Sequence, residues 1–477
     1  MFVRCLSCGA EIKLDPKSQK LVCEYCGSSF DVKDYKKKAE IAKEKNLLEV
    51  GKIDVKSYTC TQCGATLLTF DDTAVTFCSY CGSSMVIEPK LFKEEVPSYV
   101  IPFKLTKEDC EKIYKKKVNS FPFAPSYLKE NLVISKFRGI YMPYGIYTAE
   151  HHGTQVNKGS KYSHHKGNYD YYDDYTIKAE IDAIFEGISF DLASQFQDNF
   201  SQAIAPFNFK EALPFDVKYL SGFYADSYDV AKDLYNNDFE VIAKPVASKE
   251  LSKEKGFRKY GCNKPMLDLK VTNVKTAYYP VYFLAIKSKN NIISYAVVNG
   301  QTGKCAVEMP IDFKKYIIFS LLLAIPIFLI LNFVITLTPK KVVIVAIVMS
   351  IISLIISSIQ TSSLNWNDQR LSDKGFVSKN PQVLKNSKKL AFNNGYSDIV
   401  LNKSTKYKTK KLKQLSGIAI SIGTLFLNPV NDFFYYGAAL VALVLVLLSF
   451  LDLVRQYNTL VGRKFEQLGI RGGDESE

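Results

Sequence analysis

The stretch CLSCGAEIKLDPKSQKLVCEYCGSSFDV (residues 5–32) is repeated 55 positions later as CTQCGATLLTFDDTAVTFCSYCGSSMVI (residues 60–87). Each copy contains two Cys-x-x-Cys pairs separated by 14 residues, and each pair is followed by a glycine and a small residue. Glycine at that position permits the tight turn that points backbone N–H groups at the cysteine sulfurs. Four cysteines at this spacing are typical of a tetrahedral structural zinc site.

The repeat therefore predicts two zinc ribbons, over residues 1–32 and 58–90, that hold two structural Zn²⁺ ions. The predicted ligands are Cys5, Cys8, Cys23, Cys26, Cys60, Cys63, Cys78 and Cys81. Four cysteine ligands leave no coordination position for water, which favours a structural over a catalytic ion. The alternative is a disulfide framework, and it is disfavoured because no secretory signal peptide precedes the first cysteine.

The charge of the ribbons bears on their partner. The second ribbon has no Lys or Arg between Cys60 and Cys81 and carries Asp71 and Asp72. A protein that binds single-stranded nucleic acid would instead interleave basic residues with exposed aromatic residues. Nucleic acid is thus disfavoured as a partner, and docking to a protein is favoured. Residues 33–57, in which charges of opposite sign alternate, predict a solvated helical linker.

Residues 96–312 have the pattern of a mixed domain. The segment at 106–121 has helical periodicity, whereas the segments at 139–150 and 278–310 are rich in the β-branched and aromatic residues that favour strands. About 215 residues are enough for a separate core, so we predict a cytoplasmic α+β domain. The chain has no phosphate-binding loop, metalloprotease helix or nucleophile elbow, and we therefore predict that it is not an enzyme.

All four histidines lie close together in the sequence. A hairpin centred near Lys158 would pair His151 with His165 and His152 with His164 across its strands. One interpretation is a further metal site, and the other is a polar, exposed hairpin without a ligand. The second is favoured because the sequence offers no good third metal ligand beside the histidines.

The last third of the chain contains four uncharged apolar runs, at residues 316–338, 342–364, 415–430 and 433–451. The first two are long enough to cross a hydrocarbon core of ~30 Å. The third is at the lower limit of length, so a re-entrant segment is its alternative. We predict two transmembrane hairpins, over residues 316–364 and 415–451, which give a C-terminal all-α membrane part with four transmembrane helices.

The distribution of charge predicts the orientation in the membrane. The net charge is +14, and residues 365–413 hold 12 Lys or Arg against three Asp. The positive-inside rule places this basic loop, and with four crossings both termini, in the cytoplasm. Reduced cysteines for zinc require the same compartment. We expect a multi-pass cell-membrane protein whose loop meets the anionic lipid of the inner leaflet, followed by an amphipathic tail at residues 452–477.

Three features carry a resemblance to a known family: the Cys-x-x-Cys-Gly ribbons, GIYMPYGIYTAE (residues 139–150), and the pair YYPVYFLAIKS and YAVVNGQTGKCAVEMP (residues 278–288 and 295–310). They resemble a bacterial family of TFIIB-type zinc-ribbon membrane proteins, some of which are mislabelled as a primosomal helicase. The resemblance implies membrane-anchored recruitment in phage-shock-type envelope-stress systems. This chain departs from simple family members in having two ribbons and a second hairpin.

The sequence as a whole predicts a multidomain chain: two N-terminal four-cysteine zinc ribbons, a cytoplasmic α+β domain and the membrane part. The predicted function is that of an integral membrane scaffold that recruits a cytosolic protein partner through the ribbons and the α+β domain. The alternative is a membrane-tethered nucleic-acid-binding zinc-ribbon protein. The sequence does not indicate an oligomeric state.

Overall fold

A computed structural model describes residues 3–35, 52–60, 64–69, 78, 80, 90–129, 137–254, 267–288, 293–334, 337–367, 373–379 and 411–462. These residues form a small cysteine-containing ribbon at the N-terminus, a mixed α/β domain and a C-terminal set of helices. The prediction of a multidomain chain with these three parts is confirmed at this level. Most of the predicted linker and of the basic loop, and all of the residues after 462, lie outside the described residues.

All of the strands that the structure describes lie within the first 307 residues. They are β1 (Lys13–Asp15), β2 (Lys20–Val22), β3 (Ser29–Asp31), β4 (Lys52–Thr59), β5 (Thr66–Thr69), β6 (Lys90–Glu95), β7 (Tyr99–Val100), β8 (Arg138–Lys166), β9 (Tyr169–Asp191), β10 (Leu213–Pro214), β11 (Tyr224–Ala225), β12 (Lys270–Lys287), β13 (Ile293–Asn299) and β14 (Cys305–Val307).

The α-helices are divided between the α/β domain and the C-terminal part. They are α1 (Lys107–Asn119), α2 (Asp198–Ile204), α3 (Asn236–Glu254), α4 (Phe313–Val334), α5 (Pro339–Asn367), α6 (Lys374–Lys379), α7 (Lys411–Leu427) and α8 (Phe433–Val461). Helix α1 begins at a capping box between Thr106 and Asp109, an arrangement that supplies partners for backbone N–H groups of the first turn.

The strands form two sheets. β1, β2 and β3 make a three-stranded antiparallel sheet in the first ribbon, and the other eleven strands make one large sheet. Strands β8 and β12 pair antiparallel in the centre of the large sheet, in register from Glu150 opposite Lys270 to Arg138 opposite Phe283, with one irregularity near Asn273. Runs of apolar and aromatic residues in both strands are buried on both faces, as is expected for central strands.

The second cysteine segment belongs to this large sheet. Strands β4 and β6 pair with each other, β4 pairs with β5, and Leu68 of β5 pairs with Ala225 of β11. Residues 52–57 are therefore strand, although the sequence predicted a helical linker as far as residue 57. The second ribbon is continuous with the α/β domain, whereas the first keeps a sheet of its own.

Strands β8 and β9 extend beyond the sheet as a long hairpin. Pairing of β8 with β12 ends at Glu150, but pairing of β8 with β9 continues to Lys166 opposite Tyr169. The two-stranded part of β8 thus has 16 residues and a length of ~50 Å. Its turn is at Gly167 and Asn168, so the predicted hairpin centre near residue 158 is wrong.

The C-terminal helices include two that are long and apolar enough to cross a membrane: Pro339–Asn365 within α5, and α8. Helix α7 has an apolar part, Lys413–Leu427, that is shorter, and α4 is an apolar helix of 22 residues that contains Pro326. The prediction of a membrane part is supported for two spans among the described residues. Helices α5, α7 and α8 pack together. Gly417 of α7 lies so close to α8 that a Cβ added to it would be 3.2 Å from the Cα of Ala442.

Hydrogen bonds of Asn458 and Lys315 are among the contacts that fix the ends of these helices to the α/β domain. Asn458, near the end of α8, makes two hydrogen bonds with the backbone of Ile311. The Ile311 N–H donates to the side-chain oxygen of Asn458 at 2.7 Å, and the side-chain nitrogen of Asn458 donates to the Ile311 carbonyl at 2.8 Å. The ammonium of Lys315, at the start of α4, donates to the carbonyl of Ala124 at 2.6 Å. The start of α4 and the end of α8 are thereby held against the domain.

Helix α6, which follows α5, makes a third contact. The Lys374 backbone N–H donates to the carboxylate of Asp198 at 3.0 Å, and its ammonium lies 3.0 Å from an oxygen of Asp238. Burial, together with the nearby charge of Asp373, raises the pKa of Asp198 to about 8. Gly375 lies against Ser194, whose carbonyl oxygen would be 2.6 Å from an added Cβ, so a side chain at position 375 would force the two segments apart.

Tyr80 shows how firmly the second cysteine segment is set into the domain. Its ring is fully buried, 5.1 Å from that of Phe283, and its hydroxyl donates to the buried carboxylate of Asp226. Tyr25, the equivalent residue in the first copy of the repeat, is 85% exposed.

We predict that Tyr80→Phe destabilises the protein by about 1–3 kcal/mol, because a buried carboxylate loses a hydrogen-bond donor. Thermal unfolding of the full chain in detergent measures the change. The control is Tyr25→Phe, which removes the same hydroxyl from the equivalent, exposed position and is expected to leave Tm unchanged. Equal shifts for the two variants would contradict the role assigned to the Tyr80 hydroxyl.

Candidate metal centre

The first ribbon brings its four cysteines to one point. Two turns carry the sulfurs, and in each the cysteine that begins the turn is buried while the one that ends it is exposed. In the first turn Gly9 donates to the carbonyl of Cys5 at 2.9 Å, and in the second Gly27 donates to the carbonyl of Cys23 at 2.9 Å. Both glycines have a positive φ, +78° and +73°, a conformation that glycine adopts at no steric cost.

The distances between the sulfur atoms fit a zinc ion. The Sγ atoms of Cys5 and Cys26 are 3.5 Å apart and those of Cys8 and Cys23 are 3.6 Å apart, and all four lie within 4.8 Å of one another. Zn–S bonds of ~2.3 Å in a tetrahedron place the sulfurs ~3.8 Å apart. These four residues could therefore hold one Zn²⁺ ion without a large movement of the chain.

The electrostatics of the four thiols also suit a cation. Hydrogen bonding with the side chain and the backbone of Ser28 lowers the pKa of Cys26 to about 6. The Ala10 backbone N–H acts in the same direction on Cys8, but burial and the neighbouring thiols raise the pKa of Cys8 to about 12. Four thiols this close cannot all lose their protons unless a metal ion compensates the charge.

The body of the ribbon is held to the α/β domain by apolar packing and by two hydrogen bonds. Leu14 and Leu21 are buried in the same apolar cluster as Phe103 of the domain. The Leu14 N–H donates to the carbonyl of Ser221 at 3.1 Å, and the Gln19 side chain donates to the carbonyl of Phe103 at 2.6 Å. The metal centre therefore has a fixed position relative to the domain.

Each of the two turns has an exposed residue between its cysteines. Leu6, between the first pair of cysteines, is 45% exposed, and Tyr25, between the second pair, is 85% exposed. An aliphatic and an aromatic side chain are therefore in contact with solvent beside the predicted ion.

Half of the second predicted site lies in the described residues. Cys60 and Cys78 are buried, as are their equivalents in the first ribbon. The first turn also has the same backbone bonding, since Gly64 donates to the carbonyl of Cys60 at 2.8 Å with a φ of +71°. Cys63 and Cys81 lie outside the described residues, so the second ligand set stays a prediction.

The structure does not bring the four histidines together in the predicted pairs. Across the hairpin the pairs are His151 with Ala183, His152 with Asp182, His164 with Tyr171, and His165 with Asp170. The prediction of facing histidine pairs is wrong because the turn lies at Gly167, nine residues beyond the expected centre. Within the described part of the chain, the four cysteines of the first ribbon are the group whose geometry suits a metal ion.

The individual histidines have local partners. The ring of His152 lies 2.9 Å from a carboxylate oxygen of Asp182 and 3.4 Å from one of Glu150. These two hydrogen bonds, the one with Asp182 first, raise the pKa of His152 above its usual value. The rings of His164 and Tyr171 stack at 4.8 Å on the exposed hairpin.

Sequence reasoning missed two groups of residues that connect the parts of the molecule. One is Tyr80 with Asp226, and the other is the set of contacts between Lys374 and the carboxylates of Asp198 and Asp238. The residues in each group are far apart in the chain and follow no local motif. The equivalence of Tyr25 and Tyr80 in the repeat was visible, but their opposite environments were not.

The chain is 24% identical over 316 residues to the uncharacterized protein YdjG of Bacillus subtilis (strain 168), an alignment that covers 65% of this chain and 91% of that protein. No family model matches the chain. No solved structure matches it either.

We predict that Cys8→Ser combined with Cys26→Ser removes one zinc ion per chain, because the two exposed ligands complete the tetrahedron. Elemental analysis of the full-length protein, purified without added metal, measures the loss. The control is Cys110→Ser, a buried cysteine outside the ribbons, which is expected to keep the zinc content of the unmodified chain. An unchanged zinc content in the double variant would contradict the assignment of these ligands.

Proposed function

We propose that the protein is a membrane-anchored scaffold whose first zinc ribbon is the docking surface for a cytosolic protein partner. The observation that carries the proposal is the contrast between the two copies of the repeat. The second copy has its tyrosine, Tyr80, inserted in the domain core, whereas the first presents Leu6 and Tyr25 to solvent. Aromatic residues on a rigid turn are the residue type that dominates protein interfaces.

The proposal includes a second structural zinc ion, held by Cys60, Cys63, Cys78 and Cys81. It is supported by the buried positions of Cys60 and Cys78 and by the backbone bonding at Gly64, which matches the first ribbon. In this proposal the second ion stabilises the edge of the large sheet, and elemental analysis of the unmodified chain is expected to give two zinc ions.

Four membrane crossings are part of the proposal. Helix α4, with 22 residues, is ~33 Å long and matches a hydrocarbon core of ~30 Å. Helix α7, with 17 residues, is ~26 Å long and would be accommodated by local thinning of the bilayer. The ammonium of Lys413, at the start of α7, lies 2.6 Å from the carboxylate of Asp452 near the end of α8, and this contact supports a topology in which the two ends are on the same side of the membrane.

The proposed orientation puts the α/β domain, both termini and the basic loop in the cytoplasm. The contacts of Lys315, Lys374 and Asn458 with the domain support this arrangement, because they place one end of α4, α6 and α8 beside it. The charge excess of residues 365–413 supports the cytoplasmic side. The resemblance of the ribbons and of residues 278–310 to the TFIIB-type zinc-ribbon membrane proteins suggests a role in the response to envelope stress, without catalysis.

For partner docking, we predict that Leu6→Ser combined with Tyr25→Ser reduces recovery of the partner about tenfold, which corresponds to a loss of ~1.4 kcal/mol in binding. The measurement is quantitative mass spectrometry of proteins that co-purify with the tagged full chain from native membranes in mild detergent. Zinc content, measured on the same samples, is expected to be unchanged.

The matched control is Val156→Ser combined with Tyr169→Ser, which removes an aliphatic and a tyrosine side chain from the long hairpin at 57% and 73% exposure. This variant is expected to recover the partner normally. Equal recovery by all three proteins would contradict docking through the first ribbon. Loss of recovery after nuclease treatment would instead favour the alternative of a membrane-tethered nucleic-acid binder.

For topology, we predict that a membrane-impermeant maleimide labels Asn428→Cys on intact spheroplasts but does not label Ser378→Cys. The four-helix arrangement places position 428 outside and position 378 in the cytoplasm. All native cysteines lie at residue 305 or earlier, so the unmodified chain is the control and is expected to remain unlabelled. Labelling of the unmodified chain would overturn the orientation, and labelling of Ser378→Cys would overturn the four crossings.

A further inference from the structure

Helix α3 (Asn236–Glu254) has two apolar faces. One face packs on the domain core through Phe239, Ala243, Ala247 and Leu251, all of which are buried. A surface helix normally has a polar opposite face. In α3 the opposite face is apolar as well, and this second face has no role in the core.

The exposed face has helical periodicity. Val241, Ile242, Pro245 and Val246 follow Asp238 at spacings of three, four, seven and eight residues, which places all five on one side of the helix. Val241 is 66% exposed, Ile242 is 46% exposed and Val246 is 57% exposed. We call these four apolar residues the α3 ridge. A contiguous exposed patch of this kind marks an interaction site.

The position of Asp238 relates the α3 ridge to the membrane part. Asp238 begins the exposed face and lies 3.0 Å from the ammonium of Lys374, whose side chain is 8% exposed. Lys374 is seven residues after Asn367, where α5 ends. Seven residues span at most ~25 Å even when fully extended, so the first turn of α3 is held close to the end of a membrane span.

Basic residues continue the same face. Lys249 and Lys253, which lie 11 and 15 residues after Asp238, are both exposed. Lys253 lies 3.1 Å from Glu250, an exposed pair that contributes little. An apolar strip followed by lysines is typical of helices that lie in the plane of a membrane interface, where lysines approach anionic headgroups.

We propose that the α3 ridge rests on the bilayer surface, with its apolar side chains among the headgroups of anionic phospholipids. The proposal depends on the membrane crossings proposed above. It extends them, because it makes part of the α/β domain a peripheral membrane surface and fixes which side of the domain faces the lipid.

The test uses the full-length chain in lipid nanodiscs that contain phosphatidylglycerol with brominated acyl chains, which quench nearby tryptophan. The chain has a single tryptophan, Trp366, near the end of α5. In a Trp366→Phe background, Ile242→Trp reports on the α3 ridge. The matched control is Ile184→Trp, which replaces the same residue type at 68% exposure on the hairpin.

With the ridge ~5–10 Å into the interface, we expect brominated lipid to reduce the fluorescence of Ile242→Trp about twofold and to leave that of Ile184→Trp unchanged. Absence of quenching at position 242 would overturn the proposal. Blue-shifted, unquenched emission there would mean that protein covers the ridge, either another segment or a second copy of the chain. Red-shifted emission would mean that water covers it.

Quenching of Trp366 in the unmodified chain tests the membrane crossing by α5 independently of the contact between the α3 ridge and the bilayer. Quenching of Trp366 without quenching at position 242 would leave the membrane crossings intact and overturn only the contact of the α3 ridge. If Trp366 were not quenched either, the crossing by α5 would fail as well.

Discussion

The antiparallel pairing of β8 with β12 is the interaction on which the other parts of the molecule depend. The outer edge of β12 receives β7 and β13, and the other edge of β8 receives β9 and β11. Through β11 the second cysteine segment joins the sheet, and through β13 the chain reaches β14 and then helix α4. A shift of this register by one residue would move every side chain of the shifted strand to the opposite face of the sheet and would disrupt the packing on both faces.

The two copies of the cysteine repeat illustrate how context decides the use of a sequence. Both copies have a tyrosine between the second pair of cysteines, and both have the same hydrogen bonds and positive φ in the first turn. Strand pairing at Leu68 draws the second copy into the sheet, where Tyr80 meets the carboxylate of Asp226. The first copy contacts the domain through Leu14 and Leu21 of its own sheet, and Tyr25 is exposed to solvent. One duplication thus supplies a structural element and an exposed surface.

The fold could be predicted where the signal is local. The cysteine spacing predicted the cluster around Cys5 and Cys23, and the apolar runs predicted the helices α4, α5, α7 and α8, because both patterns depend only on neighbouring residues. The hairpin was misplaced because the polar strands contain two internal glycines, Gly153 and Gly159, which compete as turn candidates with the Gly167-Asn168 pair where the turn lies. The merger of the second ribbon with the domain, and the joint at Lys374, depend on pairings between distant segments that no local pattern specifies.

Hydrogen bonds and ion pairs between polar groups attach the membrane part to the domain. The side-chain amide of Asn458 forms hydrogen bonds with both the N–H and the carbonyl of Ile311. The ammonium of Lys374 lies beside the carboxylate of Asp238, and the backbone N–H of Lys374 donates to the carboxylate of Asp198. Each attachment satisfies polar groups that would be costly to bury alone. Because they lie before α4, after α5 and at the end of α8, the domain cannot rotate freely about any one span. In the proposed scaffold, a ribbon fixed to such a domain would present its tip at a constant height above the bilayer, which would reduce the entropy lost on docking of a partner.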